Sequence, residues 1–408
     1  MKKALVTIIL PVMVLSLSRL ATGQAESISL DEQLIRASMG GDIAEVQQLL
    51  QKGASVNAKR DDGTSALHWA VAEGFTEMEK LLLEKGANIE DKDNQGRTAL
   101  HEAALVCHPA DVKLLLEKGA NVEAKDKGGG TPLLRAAETP SWFTTPKLVL
   151  DIMKLLLEKG ANIESKEDNG KTVMDLAIGW GKTDMVKLLL ENGAKIEGGA
   201  SVLLDETGVH RTSGSTPLLL AAAGGRADIV MMLLDKGANI QAKDRAGNTA
   251  LHLLAEKGNT ETVKLLLDKG LSIEARNNEG FTPLLSAAAS GTPIEVIEVV
   301  QFLLERNANI EAQDAAGRTA LIGAAERGKT DVVRALLAKG AKIEPQDRSG
   351  NTALNVAAWR GRAYVVAVLL EKGANIEAKN NAGKTPLDLA TSGGHADVVK
   401  LLREKGAK

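Results

Sequence analysis

The chain has 408 residues, is 44% hydrophobic but only 2% aromatic, and sets 50 Lys+Arg against 53 Asp+Glu. That balance excludes a broadly basic surface for nucleic acid, and no basic stretch is interleaved with the aromatic rings that single strands stack on. A single cysteine, Cys107, excludes an internal disulfide, so stability has to come from packing.

The first 25 residues have a composition of their own. Lys2 and Lys3 precede an apolar run from Ala4 to Leu17, and small residues follow through Ala25. This pattern predicts a secretory signal peptide cleaved after Ala25 or Gly23, with an apolar core too short for a comfortable membrane span. Export to the periplasm or out of the cell is the expectation, with no stable membrane span once residues 1–25 leave. Cleavage would remove Lys2, Lys3 and Arg19, leaving the remainder more acidic by three charges.

From residue 31 onward a unit repeats. LLLEKGAN stands at 81–88, 114–121 and 155–162, and variants continue to LLREKGAK at the end. The closing positions are Gly53, Gly86, Gly119, Gly160, Gly193, Gly237, Gly270, Asn307, Gly340, Gly373 and Gly406, and seven of the ten spacings are 33 residues. A fixed period of this length means an array whose units are stable only when stacked. One array over 26–408 is expected, with repeats at 31–60, 61–92, 93–125, 126–166, 167–199, 200–243, 244–276, 277–313, 314–346, 347–379 and 380–408.

The first copy, beginning Ser29-Leu-Asp-Glu-Gln-Leu, lacks the turn signature and exposes Gln47 and Gln48, as a polar terminal cap should. The third copy shows the full unit. Asp93 to Gly96 is turn chemistry, and Thr98 caps a short helix whose first position accepts Ala, or Pro in Thr131-Pro132, Thr216-Pro217, Thr282-Pro283 and Thr385-Pro386. That helix ends at a glycine in most copies: Gly41, Gly74, Gly181, Gly225, Gly258, Gly291, Gly328, Gly361 and Gly394. A second helix then buries Val112, Leu114 and Leu115 or their equivalents and closes on Gly119, a left-handed position at which Asn307 is the natural substitute.

The consensus Gly-x-Thr-Pro/Ala-Leu-His-x-Ala-Ala followed by Leu-Leu-x-x-Gly-Ala-x-Ile-x-Ala resembles the ankyrin repeat. The resemblance implies a mostly α solenoid of stacked β-hairpin/helix-turn-helix units, with a ligand-facing groove lined by hairpin tips and first-helix ends. It also implies binding of a protein partner. His68, His101 and His252 take the signature position, where the family ties one hairpin to the next, and His108 and His395 open second helices.

Three spacings depart from the period. Eight extra residues are expected between two helices at 138–146, including Trp142 and Phe143. Eleven enlarge the turn segment 198–214, and four lie around Thr292-Pro293. Insertions of this kind are either binding loops or tolerated growth.

No catalytic, metal or cofactor site is expected. His210 in the long insertion has no second His or Cys beside it. Cys107 and His108 are adjacent at a helix end and do not converge as a nucleophile and base must. Gly128-Gly129-Gly130 precedes a turn without a P-loop lysine.

The residues that individualise the array are therefore the candidate site. Trp180, Lys257, Arg327, Trp359 and Arg360 fall at first-helix ends, and Arg245, Phe281, Arg318 and Arg348 fall at tips. Trp and Arg anchor protein interfaces most often. The expectation is a monomeric, non-catalytic exported scaffold gripping an acidic segment of a protein partner, with Trp142 and Phe143 as a second contact. Two alternatives stand beside it: a regulator of an exported enzyme or an effector delivered to a host cell, and a structural array that assembles end to end.

Overall fold

The computed structural model describes residues 28–140, 144–197, 216–291 and 296–408. The segment 1–25, Trp142, Phe143, the whole 198–214 insertion with His210, and Thr292-Pro293 lie outside the described residues. Contacts divide the chain into two compact units, Met1–Lys127 and Gly128–Lys408.

Unit 1 holds α1 (Leu30–Gly40), α2 (Ile43–Gln51), α3 (Ala66–Ala72), α4 (Thr76–Glu84), α5 (Ala99–Leu105) and α6 (Pro109–Glu117). Unit 2 holds α7 (Pro132–Glu138), α8 (Pro146–Glu158), α9 (Val173–Gly179), α10 (Thr183–Glu191), α11 (Pro217–Ala223), α12 (Ala227–Asp235), α13 (Ala250–Glu256) and α14 (Thr260–Asp268). It continues with α15 (Pro283–Ala289), α16 (Ile297–Glu305), α17 (Ala320–Arg327), α18 (Thr330–Ala338), α19 (Ala353–Trp359), α20 (Ala363–Glu371), α21 (Pro386–Ser392) and α22 (Ala396–Glu404). Odd-numbered helices open a repeat and even-numbered ones close it. Within each unit a first helix packs on its own second helix and on the first helix of the next repeat, and second helices form a parallel seam.

Short helices of seven to nine residues are too brief to persist alone. Capping and burial hold them. Thr319 Oγ1 accepts from Ile322 N–H at 3.4 Å, and Thr352 with Asn355 forms a reciprocal capping box. Ala320, Leu321, Ile322, Ala324 and Ala325 of α17 are all essentially buried, as are Val333 and Leu336 of α18.

The left-handed closures are as expected from the sequence, with one exception. Asn307 takes φ 62° and Cys107 takes φ 59° in the place of glycine. Gly291 does not close its helix this way: α15 runs into Ser290 at φ −58°, ψ 138°, directly before the four-residue insertion. α7 does the same at Thr139, with φ −58° and ψ 124°. In both repeats the chain leaves extended because a longer connection follows. The eight-residue surplus of the fourth repeat is also not all loop. α8 has 13 residues against nine in the other second helices, so about half of the surplus extends the helix.

Asn307 offers a local test. Asn307→Ala should lower the urea midpoint by the equivalent of about 1 kcal/mol, because Cβ crowds the left-handed backbone without the side-chain bonding Asn provides, whereas Asn307→Gly should raise it slightly.

The expected β-hairpins contain little β-structure. Among the described residues the only bridges are Lys59 with Ser65 and Lys166 with Thr172. The described tips are instead tight turns, closed in the ninth repeat by Asp314 N–H to Arg318 O at 3.1 Å and Gly317 N–H to Asp314 O at 3.0 Å. The tips bond to one another: Asn94 N–H to Asp62 O, Asn278 N–H to Ala246 O and Arg348 N–H to Ala316 O, each at 2.9 Å. Ladder length is lost because each tip spends its backbone groups on the neighbouring repeat.

Candidate functional site

The signature histidines are structural. His68 Nδ1 accepts from Ser65 N–H at 3.3 Å, which leaves Nε2–H to donate to Arg97 O at 3.1 Å. His252 repeats this with Thr249 and with Phe281 O at 3.0 Å. Burial pushes both imidazoles below their usual range, so they stay neutral and serve as fixed struts.

A second tie between repeats was not read from the sequence. In several repeats the residue opening the second helix reaches back to the carbonyls that end the first helix of the preceding repeat. In unit 1, His108 Nδ1 lies 3.0 Å from Val71 O. In unit 2, Lys182 Nζ donates to Ala137 O at 3.1 Å, Arg362 Nε to Glu326 O at 3.1 Å, and His395 Nε2 lies 2.8 Å from Trp359 O. A helix C-terminus leaves carbonyls without intrahelical partners and carries partial negative charge, so a donor, preferably cationic, is what fits there. The signal was legible as a run of basic or His residues after the glycine of the first helix. These lysines and arginines are scaffold.

The proposed contact residues then separate into two groups, all in unit 2. Phe281, Arg318, Trp359 and Arg360 are joined. Arg318 Nε donates to Asp314 Oδ2 at 2.8 Å and its Nη1 to Glu326 Oε2 at 3.2 Å. Arg360 Nη2 donates to the other oxygen, Glu326 Oε1, at 2.7 Å. The Arg318 guanidinium stands 5.7 Å from the Phe281 ring centroid and that of Arg360 4.2 Å from Trp359. A ladder of alternating rings and charges, Phe281–Arg318–Glu326–Arg360–Trp359, thus crosses three repeats. Burial works against ionisation of Glu326, but the Arg360 hydrogen bond and the Arg360, Arg318 and Arg327 charges hold its carboxyl below the usual range. Two of the predicted carboxylate ligands are therefore already bound to a carboxylate of the chain itself. Arg360 keeps its Nε and Nη1 N–H groups for another.

The second group carries the unspent charge. Arg245, Lys257, Arg327 and Arg348 make no ion pair among the described residues; Arg327 Nε instead donates to Ala289 O at 3.0 Å. Arg245, Arg327 and Arg348 are exposed, and Lys257 is half-buried. Two tips are fixed by asparagine clamps: Asn278 Nδ2 donates to Arg245 O at 2.9 Å, and Asn381 Nδ2 to Arg348 O at 3.0 Å. Trp359 is 48% exposed even with Arg360 over it, and Trp180 44%, which is unusual for indoles in a chain with so few aromatics.

Among the described residues, no group of His, Cys, Asp or Glu is arranged to hold a metal, and no helix is long and apolar enough to cross a membrane. Cys107 Sγ points to Ala104 O at 3.8 Å while the His108 ring turns to Val71, so the pair does not converge.

Family models for ankyrin repeats match residues 34–126, 124–199, 239–314 and 295–380 as three-copy units, 361–403 as a many-copy unit, and 213–245 as a single repeat. The chain belongs to the ankyrin repeat family. It is a many-repeat, all-helical scaffold of the kind that takes protein partners, in a family that is typically non-catalytic. No curated protein matches it.

Proposed function

We propose that the chain is a monomeric, non-catalytic exported scaffold that holds an acidic segment of a partner protein on unit 2. In this reading, residues 1–25 direct export and residues 26–408 form the working array. The observation that carries it is the ring-and-charge ladder from Phe281 to Trp359, bordered by Arg245, Lys257, Arg327 and Arg348. The ladder supplies preordered apolar faces, and the bordering cations supply charge that the chain itself does not neutralise. Side chains already held in place lose little entropy on binding, and carboxylates meet arginine in a two-point geometry.

The test is capture from the native extract on immobilised full-length chain, with and without the triple substitution Arg327→Ala/Trp359→Ala/Arg360→Ala. Loss of an anchor cluster should weaken retention at least about tenfold, and rising salt should weaken wild-type retention as the exposed charges are screened. Undiminished recovery by the triple variant, with its urea midpoint unchanged, overturns the reading. Deleting 139–146 asks whether Trp142 and Phe143 form a second contact: loss of the partner with folding intact implicates them, and unchanged binding dismisses them. Size-exclusion elution as a concentration-dependent assembly would replace the monomer with a self-associating array.

A further inference from the structure

The seam between α4 and α6 in unit 1 contains two carboxyl groups where most of the array has hydrocarbon. Glu79 lies seven residues before its closing glycine, a position held by Val in nine other copies and Met in one. Asp111 lies eight before its own, a position that is apolar in eight of the ten other copies. The equivalent pair in unit 2, Val333 and Val365, is buried, and so is this one: Glu79 is 0% exposed and Asp111 1%.

The surroundings treat the two acids differently. Asp111 Oδ1 accepts from Thr76 Oγ1 at 2.5 Å, and Asp111 Oδ2 lies 3.4 Å from His108 Nδ1. Neither oxygen of Glu79 has a hydrogen-bond partner when written as a carboxylate, nor does Asp111 Oδ2. The other charged groups do not compensate. On α4 itself, Lys80 is turned to Glu77 at 2.6 Å. From α3 come His68, committed to Arg97 O, and Glu73 at the helix end, whose charge acts on His108. From α6 come Asp111 and His108 themselves.

We propose that Glu79 keeps a proton in the folded chain and donates it to Asp111 Oδ2, so that the α4–α6 seam is a proton-locked joint that loosens in alkaline solution. One proton satisfies two of the three orphan oxygens and leaves a single negative charge, on Asp111, where Thr76 and His108 stabilise it. Transfer of that proton to hydroxide leaves two buried carboxylates facing each other and yields water; the seam then has to open to hydrate them.

Burial first, and then the Asp111 charge, push the Glu79 carboxyl up to about 9, while the Asp111 hydrogen bond raises His108. For an acid raised from 4.5, the contribution to stability is complete below about 4.5 and is lost as pH rises through about 9. His108, also raised, acts in the same direction.

The test is amide hydrogen exchange on the full chain from pH 6 to 10, corrected for intrinsic rates, at Leu81–Leu83 and Leu114–Leu116, with Ala335–Leu337 of α18 as the internal control. Protection at the seam should fall about tenfold per pH unit up to about pH 9, with the control flat. Glu79→Gln, whose amide donates to Asp111 at every pH, should flatten the seam profile. An unchanged slope in Glu79→Gln overturns the proposal, as does parallel loosening of the control. If that variant fails to fold, the side-chain carboxyl resonance of Glu79 in the wild-type chain decides: titration near its ordinary value overturns the proposal, and titration well above neutrality supports it.

Discussion

Asn355→Ala is expected to shift the unit 2 unfolding transition to lower urea by the equivalent of about 2–4 kcal/mol. Asn355 occupies the signature position that His68 and His252 hold elsewhere, and it is fully buried. Its Oδ1 accepts from Thr352 N–H at 3.1 Å and from Thr352 Oγ1 at 2.7 Å, and its Nδ2 donates to Ala378 O at 3.0 Å at the end of the same repeat. Truncation strands a buried N–H and a buried C=O and opens a cavity, and each carries a cost that cannot be recovered by hydration in a sealed site. Asn355→His should retain stability within about 1–1.5 kcal/mol, because an imidazole there can accept from Thr352 and donate to Lys384 O as His252 does to Phe281 O. The measurement is a urea titration followed by Trp fluorescence and far-UV CD. Repeat arrays need not unfold in one step, so the comparison is of midpoints and not of extrapolated stabilities. An Ala variant with an unshifted midpoint would show that the tie from the signature position to Thr352 and Ala378 is dispensable.

Gly350→Ala should be nearly as damaging, and Gly383→Ala serves as its control. Both glycines are left-handed tips, at φ 74° and φ 72°. A Cβ on Gly350 would lie 2.4 Å from Asn381 Oδ1 and 2.7 Å from Asn381 N, whereas nothing lies within 4 Å of one on Gly383. Both variants incur the left-handed strain, about 1–2 kcal/mol. Only Gly350→Ala also displaces the Asn381 clamp from Ser349 O and Arg348 O, for a total of about 2–4 kcal/mol. Because the clamp fixes the Arg348 tip, partner capture should fall in Gly350→Ala and not in Gly383→Ala when both are assayed well below their midpoints. Equal midpoints would mean that the contact between tips contributes nothing beyond backbone strain.

Much of this molecule was legible in its residues because the same instruction is repeated. Thr before Ala or Pro marked the first-helix caps, and glycine marked the closures, including the position where Asn307 stands in for it; the structure adds Cys107 at a left-handed closure. The histidine at the signature position announced its own strut. What could not be read were properties of pairs. Arg318 and Arg360 each looked like a free ligand for a partner, and only their convergence on the two oxygens of Glu326 shows that part of that capacity is spent within the chain. The back-reaching cap formed by His108, Lys182, Arg362 and His395 joins residues 36–45 positions apart, and no local pattern states which carbonyl each will meet.

The sequence by itself determined the ankyrin repeat, its period, its caps and closures, and which residues break the pattern, because hydrophobic periodicity and backbone sterics act over a few residues. The tertiary structure decided which of those exceptions meet. It placed Glu79 against Asp111 in a buried seam and Arg318 and Arg360 on one carboxylate. It left Arg245, Lys257, Arg327 and Arg348 without an ion pair among the described residues. Charge and hydrogen-bond satisfaction depend on distances across repeats, and those distances exist only once the helices are stacked.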